Sequence, residues 1–266
     1  MTSTEQRNRV SPGRNGAASQ DRMSYRAALD GLRSAQKSSK GAPAYSRFIN
    51  RRLGRQLAAV AYRLGMTPNG VTAVSAAFSF AAIAGLALFE PTPILGLLVT
   101  LGLVIGYAFD AADGQLARLR GGGSSSGEWL DHMIDATKIS SLHLAVLISA
   151  YQFFELDIAW LLVPIGFTIV AAVSFFGMTL NDQLRRNHGP ARTAPAAQSS
   201  SPLRSLLVLP TDYGVLCLVF LALGWPTLFF AAYTALFACC AIFLVLAARK
   251  WFGDMRALDS GAPNSG

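Results

Sequence analysis

Four aspartates between positions 110 and 135 fall at spacings that could do chemistry together. The first two lie in Asp110-Ala-Ala-Asp113-Gly114-Gln-Leu-Ala117-Arg118. On a helix, positions 110, 113, 114, 117 and 118 share one face. The other two lie in Gly127-Glu-Trp-Leu-Asp131-His-Met-Ile-Asp135, and 127, 131 and 135 again share a face. A Gly/Ser-rich connection, Gly121 to Ser126, joins the two segments. Helices joined by so short a link pack side by side, so carboxylates from both can converge. Clustered acids repel one another, and the nearby bases, Arg118 and Lys138, are too few to balance them. Hard divalent cations take oxygen ligands, and Mg²⁺ suits a site where phosphates complete the shell. Two such ions could bridge a pyrophosphate and stabilise its attacking and leaving oxygens. Gly114 and Gly127 remove side chains where a bulky ligand must approach the backbone. Interhelical salt bridges or a cation path through the membrane are the alternatives that spacing alone leaves open.

The elements that must position these residues are apolar helices. The chain is 52% hydrophobic and only 14% charged, a composition suited to a bilayer and poor for a soluble surface. Six apolar runs, near 70–89, 94–112, 130–151, 158–179, 206–223 and 226–247, each approach the roughly 20 residues that cross a bilayer core. Upstream, over 42–65, Tyr45, Phe48, Ile49, Leu53, Leu57, Val60, Ala61 and Leu64 recur at spacings of three and four. Arg47, Arg51, Arg52, Arg55 and Arg63 lie largely off that stripe. The pattern suits a helix in the headgroup layer, although an ordinary amphipathic helix packed on the protein would read the same. Residues 1–41 are polar and basic, without the apolar core of a signal peptide, and read as a disordered tail. Residues 251–266 read as a second tail, and the polar loop 182–205 as mobile.

The expected fold is therefore all-α: a polytopic membrane protein with six transmembrane helices over 70–247 and an N-terminal amphipathic interfacial helix. Connections 90–93 and 152–157 carry acids but no Arg or Lys, whereas the opposite side holds the arginines. The positive-inside rule then puts both termini and the aspartates on the cytoplasmic side. The net charge of +8 lies beside apolar spans, which points to anionic membrane lipids as partners and not to nucleic acid. Cys217, Cys239 and Cys240 all lie in apolar runs, without metal-ligand spacing, and read as small buried hydrophobes.

Taken together, Asp110-x-x-Asp113-Gly114-x-x-Ala117-Arg118, eight residues, then Gly127-x-x-x-Asp131-x-x-x-Asp135 resembles the signature of the CDP-alcohol phosphatidyltransferase family in every fixed position. The resemblance covers roughly 42–250 and implies one membrane domain there. It implies two divalent cations, Mg²⁺ or Mn²⁺, held by Asp110, Asp113, Asp131 and Asp135, with Asp135 also acting as general base. It implies that Gly114, Ala117, Arg118, Ser124 and Gly127 contact the CDP moiety. Thr67-Pro68-Asn69-Gly70-Val71-Thr72 resembles the segment that closes over the cytidine, which brings in Asn69 and Thr72. A homodimer is a further implication. So is transfer of a substituted phosphate group from a CDP-alcohol to an acceptor alcohol, with release of CMP, in phospholipid synthesis at the cell membrane. The Arg-over-Lys and Ala-rich usage suggests a bacterial source.

The alcohols are less determined. A short, bacterial-looking chain favours CDP-diacylglycerol with a polar acceptor. Glu128 and His132 instead resemble the choline/ethanolamine branch, where diacylglycerol is the acceptor. Lys138 could hold an acceptor phosphate or neutralise the carboxylates. Asp212 could face the acceptor or cap its helix. His132 could serve the site or partner a neighbouring helix.

Overall fold

The computed structural model describes residues 24–34, 43–187 and 209–260. Every described element is a helix. Helix α1 is Tyr25–Ser34, and α2 is Arg51–Leu64, preceded by a π-turn at Ser46–Asn50. The long helices follow: α3 Pro68–Leu88, α4 Pro93–Leu119, α5 Ser125–Phe153 and α6 Leu162–Asn187. Next is the short α7, Tyr213–Val219, continued by a 3₁₀ turn at Phe220–Ala222. The last helix, α8, is Pro226–Ser260.

Local chemistry sets the boundaries. Thr67 caps α3, its Oγ1 accepting from Gly70 N at 3.1 Å, with Pro68 in the first helical position. Thr92 and Pro93 repeat the arrangement at α4, and Ser124 caps α5 through Gly127 N at 3.1 Å. Gly65 ends α2 at φ 76°, a left-handed conformation that glycine adopts without penalty. Helices α3 and α4 meet closely at Gly106, where Ser75 Oγ donates to the glycine carbonyl at 2.8 Å. A Cβ at Gly102 would stand 2.8 Å from that of Ala82, so small residues set this contact as they do between membrane helices generally.

Among the described residues, five helices are long and apolar enough to cross a bilayer; the described part of the fifth expected run is shorter. Its described part begins with a 3₁₀ turn at Leu209–Thr211, and α7 starts only after Asp212. Residues 206–208 lie outside the described residues. The ring of Tyr213 packs edge-on against Tyr107 of α4 at 5.1 Å. At the other end, Gly224 lies so close to Pro93 that a Cβ there would collide with it. Thus α7 and the turn that continues it run from the level of Tyr107 towards the start of α4, about half of a roughly 30 Å crossing by helical rise. Proline at 210 and the Asp212 cap fix that late start.

Three expectations about the ends need correction. Residues 1–41 were expected to lack structure, but Tyr25–Ser34 is a helix. Ala28 and Leu32, one turn apart, bury against a cluster of Ala58, Ala59, Ala112 and Leu116, which supplies order that local sequence does not. Helix α8 runs through residues 251–260, assigned to a tail from sequence. It is held there by Arg185–Asp254 at 2.5 Å and by Trp251 seated over Gly177. Residues 182–187 of the expected mobile loop are the end of α6, and 188–208, 1–23, 35–42 and 261–266 lie outside the described residues. Helix α2 turns small alanines (Ala58, Ala59, Ala61) to the protein and leaves Leu53, Val60 and Leu64 exposed beside its arginines, as the π-turn before it leaves Phe48.

Candidate active site

The end of α4 and the start of α5 bring the aspartates together. Carboxylate oxygens of Asp110, Asp131 and Asp135 all lie within 4.8 Å of one another. Opposed ligands on an octahedral ion of the Mg²⁺ class are about 4.2 Å apart, so sub-ångström side-chain adjustments would place all three oxygens on one ion. The donor set is all oxygen, which fits a hard divalent cation. Asp113 lies one turn along α4, buried, with Oδ2 accepting from Thr72 Oγ1 at 2.6 Å.

Lys138 stands in the middle of this charge. Its Nζ is 2.6 Å from Asp110 Oδ1 and 2.7 Å from Asp135 Oδ1, and its side chain is only 8% exposed. A buried ammonium held by two carboxylates is well compensated. Of the two roles left open by sequence, neutralising the carboxylates is the one seen in this arrangement.

A cleft of about 800 Å³ opens beside the aspartates. Asn69 and Thr72 of α3 form one wall, and Asp113, Gly114, Ala117 and Arg118 of α4 another. Ser124, Gly127 and Asp131 at the start of α5 close it. Each residue expected to contact the CDP moiety thus lines a single space. Gly127 is pressed against Asn69 and Ser124, whose oxygens would each stand 3.1 Å from an added Cβ. At Gly114 an added Cβ would meet only Arg118 Nη1, at 3.5 Å, so the missing side chain leaves open space.

Asp212 lies outside both the metal cluster and the large cleft and lines a neighbouring cavity of about 430 Å³. Its Oδ1 accepts from Gly214 N at 3.1 Å, the cap that starts α7, and its Oδ2 accepts from Ser46 N at 2.9 Å. Both oxygens are engaged, and the residue is buried. It ties the π-turn before α2 to the start of α7.

Glu128 and His132, singled out in the sequence, acquire partners on α6, and one of these, Arg186, carried no sequence signal as a site residue. Glu128 pairs with Arg186 of α6 at 2.6 Å, and both line the large cleft. His132 Nδ1 lies 3.8 Å from Asp131, and its ring meets Phe175 of α6 edge-on. A second, smaller cleft of about 340 Å³ adjoins the first. It is lined by Asp110, Asp113, Gly114, Arg118 and Asp131, and also by Arg51, Gln115 and Tyr107. No spacing rule links Arg51 to Gln115; only the packing of α2 on α4 does.

Solved structures of similar shape include phosphatidylinositol phosphate synthase from Mycobacterium tuberculosis with CDP-DAG bound. It is 22% identical, covering 77% of this chain and 94% of that one, with a TM-score of 0.46. The same enzyme in complex with manganese and citrate aligns at 22% identity over 77% and 89% of the two chains, also with a TM-score of 0.46. A comparison with curated proteins finds no match by sequence. The sequence model of CDP-alcohol phosphatidyltransferases matches residues 65–247, a stretch that holds all four aspartates. The chain therefore belongs to the CDP-alcohol phosphatidyltransferase family and is a multi-pass membrane enzyme of that class.

Proposed function

We propose that this enzyme transfers a phosphatidyl group from CDP-diacylglycerol to a polar alcohol, releasing CMP, as a step of phospholipid synthesis. The observation that carries the reading is the convergence of Asp110, Asp131 and Asp135 within 4.8 Å, beside a cleft large enough for a nucleotide diphosphate. Asp110, Asp113, Asp131 and Asp135 would hold two divalent cations, Mg²⁺ or Mn²⁺. When bound, these would neutralise the diphosphate and the charge developing on the leaving CMP. Thr72 orients Asp113 for that task through its 2.6 Å hydrogen bond. Arg118 and the open backbone at Gly114 receive the diphosphate, and Asn69, Ala117, Ser124 and Gly127 border the nucleotide. Asp135 accepts the hydroxyl proton of the acceptor. The acceptor oxygen then bonds to the β-phosphorus, and the bond from that phosphorus to the bridging oxygen breaks, so that CMP departs with the electron pair. Lys138 holds Asp135 and Asp110 in register and limits their mutual repulsion. Asp212 acts at a distance, fixing α7 and the π-turn around the pocket.

Loop charges support a cytoplasmic position for the site and both termini, and the Arg-over-Lys, Ala-rich usage supports a bacterial plasma membrane as the setting. The exposed apolar side chains and arginines of α2 then lie among lipid headgroups. The family resemblance supports a homodimer.

One observation favours a second reading, with a CDP-choline-type donor and diacylglycerol as acceptor. A cavity of about 430 Å³ lies beside Tyr107 and Ser46, lined largely by apolar groups such as Leu142, Phe167, Leu216 and Phe243, and could take an acyl chain. Purified enzyme in liposomes should be given labelled CDP-diacylglycerol or labelled CDP-choline with Mg²⁺ or Mn²⁺, and the lipids formed read by mass spectrometry. CMP release from CDP-diacylglycerol alone supports the first reading. Release from CDP-choline alone replaces it with the second, and release from neither refutes both.

A further inference from the structure

Helix α1 lies outside residues 65–247, the stretch that marks the family, and the transfer reaction has not used it. Ser24 caps it, its Oγ accepting from Ala27 N at 3.2 Å. At ten residues, α1 is too short to hold a helix in water alone, so its order comes from what it packs against. Ala28 and Leu32 are 0% and 1% exposed, whereas Arg26, Asp30 and Arg33 are exposed. Gly31 lies against Leu119 of α4, whose Cδ1 would stand 3.0 Å from an added Cβ. The Tyr25 hydroxyl donates to Gln56 Oε1 of α2.

What α1 covers is the reverse side of the catalytic elements. Ala28 and Leu32 share one buried cluster with alanines of α2, with Val71 of α3, and with Ala112 and Leu116 of α4. At about 100° per residue, Ala112, Leu116 and Leu119 form one face of α4, and Asp110, Asp113, Gly114 and Ala117 form the opposite one. Val71 immediately precedes Thr72, whose hydroxyl donates to Asp113 at 2.6 Å. A single small cluster thus backs both the carboxylate and the hydroxyl that orients it. Close-packed side chains compress little, so a gap opened behind Ala112 and Val71 is felt at Asp113 and Thr72.

We propose that α1 is a positioning clamp for this site: docked behind α4, it keeps Asp113 and Thr72 in register for the metal and the CDP moiety. The proposal rests on the transferase reading above. Ala28 and Leu32 are positioning residues, acting through α4 and α3 from the side away from the cleft. Metal and donor fix the same register from the front, so docking of α1 and occupancy of the site reinforce each other. Undocking therefore costs affinity and spares the chemical step, because a filled site is held by its own ligands.

Full-length enzyme in nanodiscs provides the test, with Leu32→Ser to undock α1, Leu32→Met to restore its packing and the exposed Ala27→Ser as control. In wild type, Mn²⁺ and CDP-diacylglycerol together should slow tryptic cleavage after Arg33, since cleavage follows the undocked fraction. Leu32→Ser should speed that cleavage about tenfold and raise the KM for CDP-diacylglycerol by a similar factor, with kcat at saturation within about threefold. Equilibrium Mn²⁺ binding, read from the paramagnetic resonance signal of the free ion, should weaken about tenfold as well. Leu32→Met and Ala27→Ser should stay near wild type in every assay. Gly31→Val, which presses on Leu119 from outside the bundle, undocks α1 by a second route and should repeat the Leu32→Ser pattern. A general loss of fold would instead lower kcat at saturation and leave half-saturation in place. That result, unchanged Mn²⁺ binding and KM in both undocking variants, or wild-type cleavage indifferent to the ligands each overturns the clamp. Cleavage and Mn²⁺ binding need no turnover, so failure here is distinct from failure of the transferase reading, which shows as absence of CMP release from wild type.

Discussion

Replacing Lys138 with Met tests how the acid cluster is held together. The substitution keeps most of the apolar stem and removes one charge lying 2.6 and 2.7 Å from two carboxylates. Removing one partner of a fully buried ion pair costs about 3–5 kcal/mol, because the remaining charge is left uncompensated. Asp110 and Asp135 side chains are 21% and 25% exposed, so water recovers part of that loss. A loss of about 2–3 kcal/mol follows, which for a domain of this size lowers Tm by roughly 4–12 °C. A divalent cation supplies the missing positive charge, so the loss should depend on metal. Thermal unfolding of purified protein in detergent, with EDTA or with Mn²⁺, reads this directly. The variant should melt well below wild type in EDTA and gain more from Mn²⁺ than wild type does. Equal melting in EDTA, or an equal gain from Mn²⁺ in both proteins, would show that Lys138 does not balance the carboxylates.

Three further substitutions probe separate parts of the site. Asp135→Asn should lower turnover by about 10²–10⁴-fold, the usual worth of a general base, while CDP-diacylglycerol affinity by filtration binding stays within about threefold. Thr72→Val removes the hydroxyl that donates to Asp113 at 2.6 Å. A hydrogen bond to a charged group contributes about 1.5–3 kcal/mol, so the Mn²⁺ concentration needed for half-maximal activity should rise roughly 10–100-fold. Gly214→Val would drive a side chain into the Tyr45 ring. It should release the segment before α2, seen as faster proteolytic cleavage between residues 43 and 50, whereas Val219→Ala on the same helix should cleave at the wild-type rate.

The catalytic aspartates were legible because helical geometry leaves little freedom: a spacing of three or four fixes a face, and a short connection fixes the partner helix. Asn69, Thr72, Ser124 and Gly127 were reached through the family's motif, and the structure sets them around one cleft. The alternative of a cation path, open on spacing alone, gives way to an enzyme once the family match is known. What could not be read were contacts between distant segments. Arg51 was grouped with lipid-facing arginines by assuming an unbroken 3.6-residue period. The π-turn at Ser46–Asn50 inserts extra backbone per turn and shifts the phase, so Arg51 borders a cleft instead. Asp212 carries the local signature of a cap, but its second oxygen binds Ser46, 166 positions away, which no window can anticipate. Helix α1 was invisible for the same reason: its two buried apolar positions gain their worth only against α2 and α4. The expected fifth span misjudged where a helix starts, because hydropathy counts apolar residues and does not see the proline and cap that delay it.

The most direct measurement is anomalous diffraction from crystals of the enzyme grown with Mn²⁺ and a non-hydrolysable CDP-alcohol analogue. Manganese peaks bounded by Asp110, Asp113, Asp131 and Asp135, with oxygens of the diphosphate completing their coordination, are the result expected. Peaks bound elsewhere, or a diphosphate held away from these carboxylates, would contradict the central claim that α4 and α5 build one metal-dependent transfer site.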